Sequence, residues 1–193
     1  MDEREEIRER IISAASALFA RYGYGKTSMA EIASGCDMSP GNLYRYFENK
    51  LDIAECIVRR SFERTLDEQR RILDQPELTA ADRLRRYLLS EMEGTYRQLE
   101  DYPTLLDQTQ EIRAKRPLLV NEFLSASREL MSDILKNGRD SGEFALDDIA
   151  QTAEIIQAAT LKFRYPQLHT RLTLDKLKRE ATGVIDLILN GLR

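Results

Sequence analysis

An all-α fold is what this sequence predicts, on three observations. Apolar residues recur at helical spacing along almost the whole chain, no stretch alternates with period two for long enough to be a strand, and the interruptions fall at glycines, prolines and capping residues. At 193 residues there is room for a small domain and a larger one, each with its own core, and the boundary is expected at 1–49 and 50–193. About nine helices are expected.

The first helix runs from about Glu3 to Tyr22 on Ile7, Ile11, Ala14, Ala15, Leu18 and Phe19, and "YGYGK" ends it. A short second helix starts at Ser28, whose hydroxyl can cap while Glu31 reaches back as the capping-box partner; it buries Met29, Ile32 and Ala33. "SGCDM" breaks it. Ser39 is a good N-cap and Pro40 a good first helical residue, because the N–H that proline lacks would have no partner there. A fourth helix follows Asn49 and carries Leu51, Ala54, Ile57, Val58, Phe62, Leu66 and Leu73. Further helices are expected at about 79–100, 104–114, 117–138, 147–164 and 173–191, with breaks at Tyr102-Pro103, "RDSGEF" and Tyr165-Pro166.

Charge and composition narrow the function. The net charge is -4 with 32% charged residues, many alternating in sign along helical faces, and no basic tail is present. Two cysteines, Cys36 and Cys56, no leader pattern and no apolar run near membrane-spanning length predict a cytoplasmic protein with free thiols and no membrane partner. With one histidine, His169, and no metal-spaced cluster, phosphate-binding loop or nucleophile elbow, no catalytic residue, metal or cofactor is expected.

"DMSPGNLYRYFENK" at 37–50 is the crowded stretch. A helix, a sharp turn containing Gly35 and a second short helix with a polar face make the pattern of a helix-turn-helix, whose second helix enters the DNA major groove. On a wheel of about 100° per residue, Leu43 and Phe47 share the core face; Gly41, Asn42 and Arg45 point out, with Tyr44 and Tyr46 on the flanks. Asn and Arg read base edges bidentately, and tyrosine hydroxyls reach phosphates. Across 21–50 four basic residues (Arg21, Lys26, Arg45, Lys50) face three acidic ones (Glu31, Asp37, Glu48), so neutral donors must carry much of the phosphate contact. The expected contact set is Thr27, Ser28, Ser39, Pro40, Gly41, Asn42, Tyr44, Arg45, Tyr46 and Lys50.

The run "TSMAEIASGCDMSPGNLYRYFENKLDI" resembles the tetracycline-repressor (TetR) family of bacterial transcription regulators. The positions that carry the resemblance are Thr27-Ser28, Ile32-Ala33, the small-residue turn, Gly41, Leu43-Tyr44, Tyr46-Phe47 and Lys50, and it covers about residues 5–60. It implies an N-terminal DNA-binding domain, a larger helical ligand-binding and dimerisation domain, and repression of a double-stranded operator relieved by a small-molecule effector. A ligand pocket between the helices of the larger domain is expected among Tyr87, Met92, Tyr96, Leu99, Tyr102, Phe123 and Phe163. The last two long helices are apolar beyond one stripe, which predicts a homodimer through them.

Overall fold

The computed structural model describes residues 2–101, 104–164 and 173–192. Their helices are α1 (Glu3–Tyr22), α2 (Met29–Gly35), α3 (Pro40–Leu43), α4 (Lys50–Leu73), α5 (Ala80–Asp101), α6 (Leu105–Lys115), α7 (Pro117–Asp140), α8 (Ile149–Ala159), α9 (Leu161–Arg164) and α10 (Leu174–Gly191). There is no strand among the described residues.

The boundaries have local causes. Asp2 caps α1 by accepting the Arg4 N–H, and α1 stops at Gly23, whose φ of +91° suits glycine and whose N–H still reaches the Phe19 carbonyl. The ring of Tyr24 then folds back edge-on against Phe19, with centroids 5.3 Å apart. One helix expected over 147–164 is broken at Thr160 into α8 and α9. The buried Thr160 hydroxyl donates to the Ile156 carbonyl at 2.8 Å, and the next bond tightens to Phe163 N–H onto Thr160 O. Apolar spacing runs on through Leu161 and Phe163, so periodicity does not reveal the break.

Two compact units result: Met1–Glu63 with Gln98–Glu122, and Arg64–Arg97 with Phe123–Arg193. Helices α4, α5 and α7 run from one to the other. In the first unit Ile11, Ile12, Ala15 and Phe19 of α1 bury against Ile32, Ala33, Leu43, Phe47, Ile53 and Ala54, and α6 adds Ile112. Arg116, just past α6, bonds both Asp52 and Glu55 of α4 at 2.8 Å, and Arg59 bridges Glu55 and Glu122. The start of α4 is thus tied to the 98–122 segment as well as to α1.

The second unit packs Leu84, Tyr87 and Leu88 of α5 on Met131, Ile134 and Leu135 of α7, closed by Ala153, Ile156, Ile185 and Leu189. Thr79 caps α5 by accepting the Asp82 N–H at 3.1 Å, and the Glu143 carboxylate accepts the N–H groups of Ala80 and Ala81 beside it. Gly138 is needed for space: a Cβ there would collide with the Phe144 ring, which sits in this core. Gly138→Ala is therefore expected to destabilise by about 1–3 kcal/mol despite alanine's better helix propensity, measured by denaturant unfolding; equal or greater stability would refute the packing argument.

Candidate nucleic-acid interface

The helix-turn-helix is built from caps and a buried seam. Ser28 accepts from the Glu31 N–H while Glu31 accepts from the Ser28 N–H at 2.7 Å and from its hydroxyl, the reciprocal capping box. These bonds hold the Glu31 carboxyl below the usual carboxylate range. After α2 the chain turns through Asp37, at φ +56°, with Met38 N–H bonded to the Ala33 carbonyl. Ser39 then accepts the Asn42 N–H, with Pro40 as the first helical residue. Only four residues are α-helical in α3; tighter bonds, including Tyr46 N–H to Leu43 O, carry the coil on to Phe47.

Leu43 and Phe47 are buried, at 0% and 3% exposure, so α3 is seated on the core by one face. Gly41, Tyr44 and Arg45 are exposed on the other, with Asn42 and Tyr46 half-buried. The side chains of Asn42, Tyr44 and Arg45 make no hydrogen bond or ion pair among the described residues. A Cβ added at Gly41 would meet nothing within 4 Å, so no contact inside the protein demands glycine there. Ser28, Ser39 and Pro40 are exposed beside them.

Thr27 and Lys50 are placed otherwise. Thr27 is buried and its hydroxyl donates to the Gly23 carbonyl at 2.9 Å. Lys50 reaches back from the start of α4 to the carbonyls of Tyr24 and Thr27, at 2.6 and 2.7 Å, with its ammonium 4.3 Å from the centroid of the Tyr24 ring. Partial burial draws the ammonium below the usual lysine range. Together they fasten the α1–α2 loop to α4 and so set the angle at which α2 leaves it.

Sequence reading passed over two positioning residues on α1. Arg8 donates to the Tyr46 carbonyl at 2.7 Å and lies 4.2 Å over the Phe47 ring, and Arg10 donates to the Cys36 carbonyl at 2.9 Å. They hold the end of α3 and the turn before it. In "EREEIRER" they look like solvated charge, and no local signal separates them from Arg4. Cys36 is buried and Cys56 half-buried, both free, and burial pushes both thiols up.

The expected pocket residues are divided. Met92 and Phe163 share a small apolar cluster with Leu177 and Ala181, on which Tyr96 packs. Tyr87 is fully buried, its hydroxyl 2.6 Å from both the Ser127 carbonyl and hydroxyl; burial lifts its ionisation far above the usual range. Phe123 is buried on α7. The Leu99 side chain, Tyr102 and His169 lie outside the described residues. Among the described residues no helix is long and apolar enough to cross a membrane, and no group of three or more His, Cys, Asp or Glu could hold a metal ion.

Two family models match the chain. Residues 11–57 match the tetR family of bacterial regulatory proteins, and residues 80–185, more than half the chain, match the tetracyclin repressor-like C-terminal domain. The chain belongs to the TetR family. The chain is 36% identical over 64 residues to the transcriptional regulator UidR of Escherichia coli K12, covering 33% of this chain and 33% of that protein. It is 38% identical over 61 residues to the transcriptional repressor KstR of Rhodococcus jostii, covering 32% and 29%. These matches span about a third of each curated relative. Over nearly the whole chain the fold is similar to a transcriptional regulator from Cytophaga hutchinsonii, with TM-score 0.76, 24% identity, and 95% and 97% of the two chains covered. FadR of Thermus thermophilus, a TetR-family repressor solved with lauroyl-CoA, aligns with TM-score 0.70 and 25% identity over 96% and 95%. The family match over residues 11–57 covers the capping box, the turn and α3.

Proposed function

We propose that this TetR-family protein is a transcriptional repressor that binds a near-palindromic DNA operator as a homodimer through α2 and α3 and is released by a small molecule. One observation carries the DNA reading. The short helix α3 and the turn that follows it, seated by Leu43 and Phe47, display Asn42, Tyr44 and Arg45, whose side chains make no hydrogen bond or ion pair among the described residues, beside a glycine that leaves open space. An exposed glycine inside a helix costs about 1 kcal/mol against alanine, and close approach to a groove gives that cost a use. Asn42 and Arg45 are assigned to base edges; Tyr44, Tyr46, Ser28, Ser39 and the Gly41 N–H to phosphates. Thr27 and Lys50 support this surface from inside, with Lys50 free to turn to a phosphate only by leaving two carbonyls.

Arg45→Ala and Asn42→Ala are expected to weaken operator binding by about 1–3 kcal/mol and to relax specificity at one position of each half-site, with helicity intact. Fluorescence anisotropy against the operator and single-base variants of it measures both. Unchanged binding in the two variants would remove the assignment.

The dimer reading rests on the split of apolar residues in the last helices. On α8 and α10, Ala153, Ile156, Ile185 and Leu189 are buried in the second unit, while Ile155 and Leu187 remain 61% and 73% exposed. A second copy of the chain covers such residues when two α8–α10 pairs form a four-helix face. Two recognition helices then lie one turn of DNA apart, about 34–36 Å, or a small multiple of it. Light scattering at micromolar concentration is expected to show a dimer for the native chain and a monomer for Ile155→Glu/Leu187→Glu; a native monomer would defeat the reading.

Release is assigned to the second unit. The fold is shared with the Thermus FadR that was solved with lauroyl-CoA, so helices arranged this way can hold a ligand. Helix α4 begins at the reader and ends in the second unit, giving a ligand there a mechanical route to α3. Loosening DNA 100-fold takes about 2.7 kcal/mol of ligand preference for the DNA-free form, and linkage requires DNA to weaken the ligand equally.

A further inference from the structure

Inside the second unit lies a pair of charges whose hydrogen bonds do not add up. Arg164 of α9 and Glu91 of α5 have side chains only 3% and 6% exposed and meet through one bond, Nη2 to Oε2 at 2.8 Å. The remaining groups, Nε and Nη1 of Arg164 and Oε1 of Glu91, are buried with no partner among the described residues. An orphaned buried N–H or carboxylate oxygen costs about 1–3 kcal/mol, more when charged, and three such atoms at one pair are a large standing penalty. The other ion pairs among the described residues have half-buried or exposed side chains that water can complete; this one is shut away from it. The pair is electrostatically close to Tyr87, whose own hydroxyl is already satisfied by Ser127. Next to Glu91 and Arg164 in the chain, Met92 and Phe163 open the apolar cluster that Leu177 and Ala181 complete.

We infer that Glu91 and Arg164 form the polar end of the effector site, and that they select an uncharged small molecule bearing an acceptor oxygen and an N–H or O–H donor on an apolar body. The acceptor takes an Nη1 proton of Arg164, since Nε–H lies on the other edge of the planar guanidinium, the donor meets Oε1 of Glu91, and the body lies against Met92 and Phe163. Arginine stays protonated at any working pH, so the ionised pair is neutral as a unit. A ligand carboxylate would satisfy Arg164 and set a second negative charge beside Glu91; a hydrocarbon would leave all three groups unpaired. Donor and acceptor on one neutral group, as in a primary amide, satisfy Nη1 and Oε1 together. This deepens the ligand-release reading above and rests on it for the word effector, while binding itself needs no DNA.

Benzamide, benzoate and toluene share one ring and differ only in the polar group, so they test the selection directly. With the full-length protein and no DNA, benzamide at millimolar concentration is expected to raise the melting temperature saturably, with benzoate and toluene at least about tenfold weaker by calorimetric titration. Glu91→Gln keeps a bond to Arg164 and makes the pair cationic, so benzoate is expected to overtake benzamide. Glu91→Met/Arg164→Met, which replaces the pair by unbranched apolar side chains, is expected to fold and to lose the preference for benzamide over toluene. No stabilisation by benzamide, equal response to benzamide and benzoate, or an order unchanged in Glu91→Gln would each overturn the inference. Operator affinity, titrated in parallel with and without benzamide, separates the two readings. Operator binding without benzamide binding ends this inference alone. Benzamide binding that leaves operator affinity unchanged ends the release scheme and leaves the site standing.

Discussion

Arg164→Met is expected to cost about 3–5 kcal/mol of folding stability, and Glu91→Met a similar amount, whereas the double variant should cost far less than either. The reason is desolvation. Each single change leaves one ionised group in a place water does not reach, held by no opposite charge. The pair itself gains little, because its Coulomb attraction must first repay the removal of two ions from water and because three of its polar atoms stay unpartnered. Burial already lifts the Glu91 carboxyl above its usual range against the pull of Arg164, which shows the direction of that strain. Denaturant unfolding of the three variants closes a double-mutant cycle. Losses that simply add, with the double variant the least stable, would mean that the two side chains do not depend on one another and that their orphaned atoms are harmless.

Leu43→Ala is the second large effect, expected to destabilise by about 2–5 kcal/mol and to abolish operator binding. Leu43 is fully buried in the first unit, where Ile11, Ile32 and Phe47 share its cluster. Removing its isobutyl group leaves a cavity under a helix of only four residues, and so short a helix has almost no stability apart from its packing. The contrast with Arg45→Ala is the informative part. Both should lose DNA, Leu43→Ala by loosening the reader and Arg45→Ala by blunting it, so only the former should shift the unfolding midpoint. Operator binding retained in a destabilised Leu43→Ala would show that α3 does not have to be rigid to bind.

Much of the reader was legible in the chain. The capping box of Ser28 and Glu31, the Ser39-Pro40 start of α3 and the burial of Leu43 and Phe47 follow from residue type and spacing, and the structure has all of them. The same holds for the end of α1, where Gly23 acts within a turn of the residues it stops. The domain models confirm the family that the 27–53 stretch resembles.

What local chemistry determines by itself is therefore where helices begin, which face they bury and which side chains a short exposed helix can offer to DNA. Those depend on contacts within about four residues, and one sequence contains them in full. What only the tertiary structure decided depends on groups far apart in the chain. Lys50 turns inward because two carbonyls, 23 and 26 residues earlier, await it; Arg8 finds the end of α3 at a separation of 38. Segment 98–122 joins the reader through Arg116, Asp52 and Glu55, and Glu91 meets Arg164 across 73 residues. Charged side chains on solvated faces look alike in sequence whether or not they are buried, since their pairing energy comes from the dielectric and the neighbours that folding places around them.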